Sequence, residues 1–103
     1  MLLSTLHTIP NKNFEILGLV EGSTVQSKHL GRDLGAGFKT IIGGELKGYT
    51  EMLEEAREEA TDRLIKRARD LGADAVIGVY YTSSAIVQGG AEVLCYGTAI
   101  KFI

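Results

Sequence analysis

One cysteine, one proline and no tryptophan in 103 residues remove several possibilities at the outset. A single thiol cannot close an internal disulfide, so folding rests on burial and hydrogen bonding. Three Phe and four Tyr give few platforms for stacking bases, and a formal charge of −2 gives no basic field for a phosphate backbone. Nucleic-acid binding is therefore not expected. No apolar run approaches the ~20 residues that cross a bilayer, and the opening Met1-Leu2-Leu3-Ser4-Thr5 lacks the basic start and long apolar core of a signal peptide. The expectation is a cytoplasmic protein with no membrane partner. Glycine, by contrast, is plentiful at 13 residues, and the 45% hydrophobic content is too high for disorder. Gly-rich, Pro-poor composition points to tight turns and close backbone approach within one domain spanning residues 1–103.

The clearest periodic signal lies in residues 49–71. Tyr49, Met52, Leu53, Ala56, Ala60, Leu64, Ala68 and Leu71 recur at steps of three and four, which gathers them on one helical face. Glu51, Glu54, Glu55, Glu58 and Glu59 crowd the first half and Arg63, Lys66, Arg67 and Arg69 the second, the order a helix dipole favours. Glu59 with Arg63 and Asp62 with Lys66 stand at i,i+4 in the favourable acid-first orientation. Gly72 supplies a C-terminal stop.

Around this helix the sequence predicts strands at 2–8, 14–26, 75–82 and 92–102, with a turn at Pro10 and another at Gly89-Gly90. Leu30, Leu34, Phe38, Ile41 and Ile42 predict a shorter helix over 31–42, closed by Gly43-Gly44. In strand 14–26, Phe14, Ile16 and Val20 are assigned to one face and Leu17 and Leu19 to the other. The last strand is large on one side (Leu94, Tyr96, Ile100, Phe102) and small on the other (Cys95, Gly97, Ala99). A small face admits a helix at close range, so residues 49–71 are expected to lie over Cys95, Gly97 and Ala99. The large face needs another cover, either the short helix or a second subunit, and this predicts a homo-oligomer.

Chemistry is sparse. Cys95 has no Cys-x-x-Cys partner, and His7 and His29 lie far from it and from each other in sequence. A mid-strand thiol without a neighbouring base is a core residue rather than a nucleophile. The glutamate-rich stretch reads as a solvated helix face. Gly35-Ala36-Gly37-Phe38-Lys39-Thr40 fails as a dinucleotide loop because Thr40 replaces the third glycine. Arg57 sits at the rim of the apolar stripe and Arg32-Asp33 opens the short helix, and all three are candidates for an intersubunit contact or a pocket wall. No pair of nucleophile and base is visible, and the chain is not expected to be an enzyme.

Gly18-x-Val20-x-Gly22, Arg32-Asp33, Gly43-Gly44-Glu45, Tyr49, Ala56-Arg57, Ala60, Leu71-Gly72-Ala73-Asp74-Ala75-Val76-x-Gly78 and Gly97-Thr98-Ala99 together resemble the YbjQ-like family. These are small bacterial and archaeal proteins labelled as heavy-metal-binding, and the resemblance covers nearly the whole chain. It implies a two-layer α+β subunit of the dodecin-like kind, with an antiparallel sheet packed by one long helix plus a shorter one. It also implies assembly as a ring, a homopentamer, with extra short strands joining neighbours. The label implies a soft transition metal, for which this chain offers Cys95, His7, His29, Met1 and Met52, unclustered in sequence. A ring can gather one such residue from each subunit around its axis. Rings of this kind also hold small molecules in pockets between subunits, and that reading stands beside the metal.

Overall fold

The computed structural model describes residues 1–27, 44–87 and 89–103, with the backbone alone at 44–46 and 87. The elements run β1 (Leu2–Leu3), β2 (Phe14–Ser27), α1 (Gly44–Asp70), β3 (Ala75–Val87) and β4 (Gly90–Phe102). The short helix expected over 31–42 lies outside the described residues.

The single described helix forms where the three-and-four spacing placed it and starts earlier, at Gly44. It ends in a Schellman turn: Ala73 N–H donates to the Ala68 carbonyl at 3.0 Å, Gly72 N–H donates to that of Arg69 at 2.9 Å, and Gly72 sits at φ 81°. Of the two ion pairs expected along it, Glu59–Arg63 is present at 2.6 Å, whereas Lys66 turns to Asp70 at 3.7 Å and leaves Asp62 free of it.

The four strands form one sheet in the order β1-β3-β4-β2. The sheet is mixed rather than antiparallel, because β1 runs parallel to β3 while β3, β4 and β2 alternate. The expected strand over 2–8 contracts to Leu2–Leu3, although Gly78 and Val79 N–H still donate to the Leu6 and Ser4 carbonyls at 2.8 and 3.0 Å. The cause is topological. β1 and β2 point the same way at opposite edges of the sheet, so residues 4–13 must return across one face. That crossing sets Ile9 against Ala75, Ile77, Ile100, Phe14 and Phe102, a small core that fully buries Ile100. Part of the large face is thus covered by the chain's own N-terminal segment.

The main core lies on the opposite face, where Ala56, Ala60, Leu64 and Ala68 of α1 meet Val20, Val76, Val79, Val93, Cys95 and Ala99. The helix therefore rests on the small side of β4, as the residue sizes indicate. Two irregularities adjust the alternation. In β2, Leu17 is the extra residue between Ile16, opposite Ile100, and Gly18, opposite Ala99. It turns Leu17 and Val20 toward the helix and leaves Ile16 and Leu19 on the far face, so the grouping of Ile16 with Val20 expected from simple alternation does not hold. In β3, Gly78 at φ 60° lets Val79 return to the core beside Val76.

Gly22 sets how close helix and sheet come. A Cβ there would overlap the Ala60 carbonyl oxygen and lie 2.5 Å from Leu64 N. On the same side, Gln26 Nε2 donates to Glu59 at 2.8 Å and Arg63 donates to the Ser23 carbonyl at 2.5 Å, tying the helix to β2. Gly22→Ala must push the helix away and should cost about 3 kcal/mol, whereas Gly72→Ala, with open space around its Cβ, should cost about 1–2 kcal/mol through its left-handed backbone alone. Urea unfolding of both variants checks this order, and equal losses would refute the close approach.

Candidate functional site

Because the small residues draw α1 onto β2 and β4, the helix barely touches β3. A cleft of about 650 Å³ opens on that side, lined by Glu54, Arg57, Glu58, Thr61, Asp62 and Tyr81. A second hollow of about 90 Å³ adjoins it, sharing Arg57 and Tyr81 and adding Leu53, Thr82, Ser83 and Val93. The helix supplies Glu54, Glu58 and Asp62 at successive i,i+4 steps, with Arg57 and Thr61 one turn apart beside them. β3 supplies Tyr81, which pairs with Cys95 of β4 and shares its helix-side face.

At the floor of the cleft is a short hydrogen-bonded chain. Thr61 Oγ1 donates to the Arg57 carbonyl at 2.7 Å and lies 2.6 Å from Tyr81 Oη. Tyr81 in turn stands opposite Cys95 across the β3–β4 pair. Burial pushes the Cys95 thiol up from its usual range, and its bonds to Tyr81 and Thr61 offset only part of that. Burial likewise raises the Tyr81 phenol, against a lowering by Thr61. Both groups hold their protons at neutral pH. Arg57 forms no ion pair with any described carboxylate.

The sequence candidates disperse in the fold. Arg57 is in the cleft wall and Cys95, with no exposed surface, lies beneath it. His7 sits on the other side of the sheet, its ring 6.4 Å from that of Tyr80. Met52 is buried under the helix and Met1 is exposed. His29, Arg32 and Asp33 lie outside the described residues. Thr61 and Tyr81 were not singled out from sequence. The available signal was the adjacent pair Tyr80-Tyr81, whose members must face opposite sides of a strand, and Thr61 at one turn from Arg57.

A soft metal does not fit this donor set. Among the described residues no three His, Cys, Asp or Glu side chains converge as ligands. The one thiol is protonated and sealed, and the nearest described histidine is across the sheet. Among the described residues, no helix is long and apolar enough to cross a membrane.

A family model named YbjQ_1 and described as "Putative heavy-metal-binding" matches residues 1–103. A UPF0145 protein of Thermotoga maritima is 58% identical over 102 residues, which is 98% of this chain and 96% of that one. A UPF0145 protein of Vibrio campbellii is 54% identical over 104 residues and the match covers both chains fully. Among solved structures, a Pediococcus pentosaceus protein with unknown function, assigned to the DUF74 family, aligns with a TM-score of 0.72 at 23% identity, covering 100% of this chain and 98% of that one. At that identity the likeness establishes the fold.

The raised thiol has a consequence for stability. The folded protein keeps a proton that the unfolded chain releases near its ordinary value of 9.0, so stability is fully present below that pH and falls as pH rises through the folded value. Urea curves between about pH 8 and pH 11 should show a steeper alkaline decline for the parent than for Cys95→Ala. Parallel declines would show that this proton is not linked to folding.

Proposed function

The chain belongs to the YbjQ_1 family, and from the cleft beside its long helix we infer that it is a self-assembling protein that binds a small molecule. The observation that carries this reading is the convergence of Arg57, whose guanidinium has no ion pair among the described residues, with the hydroxyls of Thr61 and Tyr81 in one cleft of about 650 Å³. That volume is in the range of small-molecule sites. An ion pair for Arg57 is left for the ligand to provide.

Self-assembly is supported by the far face of the sheet. Leu19 is 72% exposed and Ile16 69%, and Tyr80 and Tyr96 stand beside them with ring centroids 6.2 Å apart. Among the described residues two edges are open, the outer side of β2 and β3 from Tyr80 onward, and these suit head-to-tail pairing of copies. Head-to-tail contacts whose rotation closes give a ring, and the family resemblance makes five subunits the number to test. Cellular location follows the sequence expectation, the cytoplasm. The reading is not enzymatic, because the described thiol has no base beside it and burial opposes its ionisation.

Native mass spectrometry of untagged protein, purified without chelators, tests the reading. The expected result is a ring mass carrying an organic adduct that Arg57→Gln removes while the ring persists. Leu19→Glu combined with Tyr96→Glu should release monomers. A parent that runs as a clean monomer would overturn the self-assembly. A stoichiometric soft metal that disappears on Cys95→Ala would replace the small-molecule reading with the metal one.

A further inference from the structure

The direction of the hydrogen bonds at the cleft floor limits what the ligand can offer. Thr61 has one proton and gives it to the Arg57 carbonyl at 2.7 Å. The 2.6 Å contact between Thr61 Oγ1 and Tyr81 Oη therefore uses the tyrosine's proton, with Thr61 accepting. Tyr81 has then only acceptor capacity left. Toward the cleft, Thr61 and Tyr81 present lone pairs and no protons. Glu58 and Asp62 beside them are acceptors as well. The single strong donor in the lining is the Arg57 guanidinium.

A ligand bearing only a carboxylate would meet Arg57 but face the carboxylates around it. One bearing only an amine would meet the acceptors but face Arg57. A ligand with both groups satisfies each wall, and the spacing says how far apart they stand. Arg57 and Thr61 are four residues apart on α1, about 6 Å along the axis, a distance bridged by a carboxylate and an ammonium on the same or the next carbon once each has its own hydrogen bonds. The adjoining hollow of about 90 Å³ shares Arg57 and Tyr81 and is lined further by Leu53, Val93, Thr82 and Ser83, and its Leu53 and Val93 walls suit a branched aliphatic side chain.

Resting on the small-molecule reading above, we propose that the cleft binds an aliphatic α-amino acid. Its carboxylate lies on Arg57, its ammonium on the oxygens of Thr61, Tyr81 and Glu58, and its side chain in the hollow between Leu53 and Val93.

Isothermal titration of the untagged full chain with four probes tests this: L-leucine, 3-methylbutylamine (leucine without its carboxylate), 4-methylpentanoate (leucine without its amine) and glycine. L-Leucine should bind, and each of the others should bind at least about tenfold more weakly. Arg57→Gln, an exposed position whose assembly is checked by mass, should weaken leucine by at least about tenfold, and Tyr81→Phe should weaken it less. Equal binding of 3-methylbutylamine and leucine would overturn the proposal, as would leucine binding that Arg57→Gln leaves unchanged. If leucine fails to bind but a copurifying adduct is still lost with Arg57→Gln, the ligand class is wrong and the small-molecule reading stands. If neither leucine nor an adduct engages the cleft, both fall.

Discussion

The close seat of α1 on β2 and β4 governs the rest of the molecule. It is made by an absence of side-chain bulk on both surfaces: Ala56, Ala60 and Ala68 on the helix, Gly22, Cys95 and Ala99 on the sheet. Where backbones approach this closely, dispersion contacts are dense and any added carbon must displace something. The Gln26, Glu59 and Arg63 contacts lie on the same flank, and although half-exposed ion pairs contribute only about 0–1 kcal/mol, they fix which strand the helix follows. A helix held on one side of a three-strand ribbon leaves the other side open. The cleft at Tyr81 is the result of that asymmetry.

Residues with a strong period or a strong size contrast were legible in the sequence. The helix, the Gly72 stop, the seat on Cys95 and Ala99 and the long C-terminal strands all follow from local spacing. What was not legible depends on strand order or on a single added residue. The parallel pairing of β1 with β3 and the burial of Ile100 under Ile9 arise because residues 4–13 cross the sheet, which no local pattern reports. Ile16 was assigned to the face of Val20 because a period of two takes no account of a bulge. At the cleft, Arg57 was visible as a rim residue, but its partners Thr61 and Tyr81 are ordinary residues in their own elements. Only the packing of the helix on the sheet brings Tyr81 to Thr61 and Arg57.

The family label and the local chemistry separate at Cys95. A soft-metal ligand must shed its proton and be reachable, and this thiol is protonated and without exposed surface. The same burial that disqualifies it as a ligand gives it a packing part in the main core, with Tyr81 as its cross-strand neighbour.

The bulge at Leu17 also bears on how the chain tolerates changes in length. Ile16 and Gly18 keep their partners Ile100 and Ala99, which are themselves consecutive, so the extra residue sits outside the alternation of the ladder. Loss of a residue at this one place leaves Phe14 and Ile16 on the far face and Val20 on the near one, while loss of a residue at a regularly paired position elsewhere in β2 inverts the faces on one side of it. The strand therefore carries a built-in slack of one residue, placed between the half that faces the crossing segment and the half that carries the helix. A deletion of one residue in a related chain would be accommodated at this point with both faces of the ladder kept.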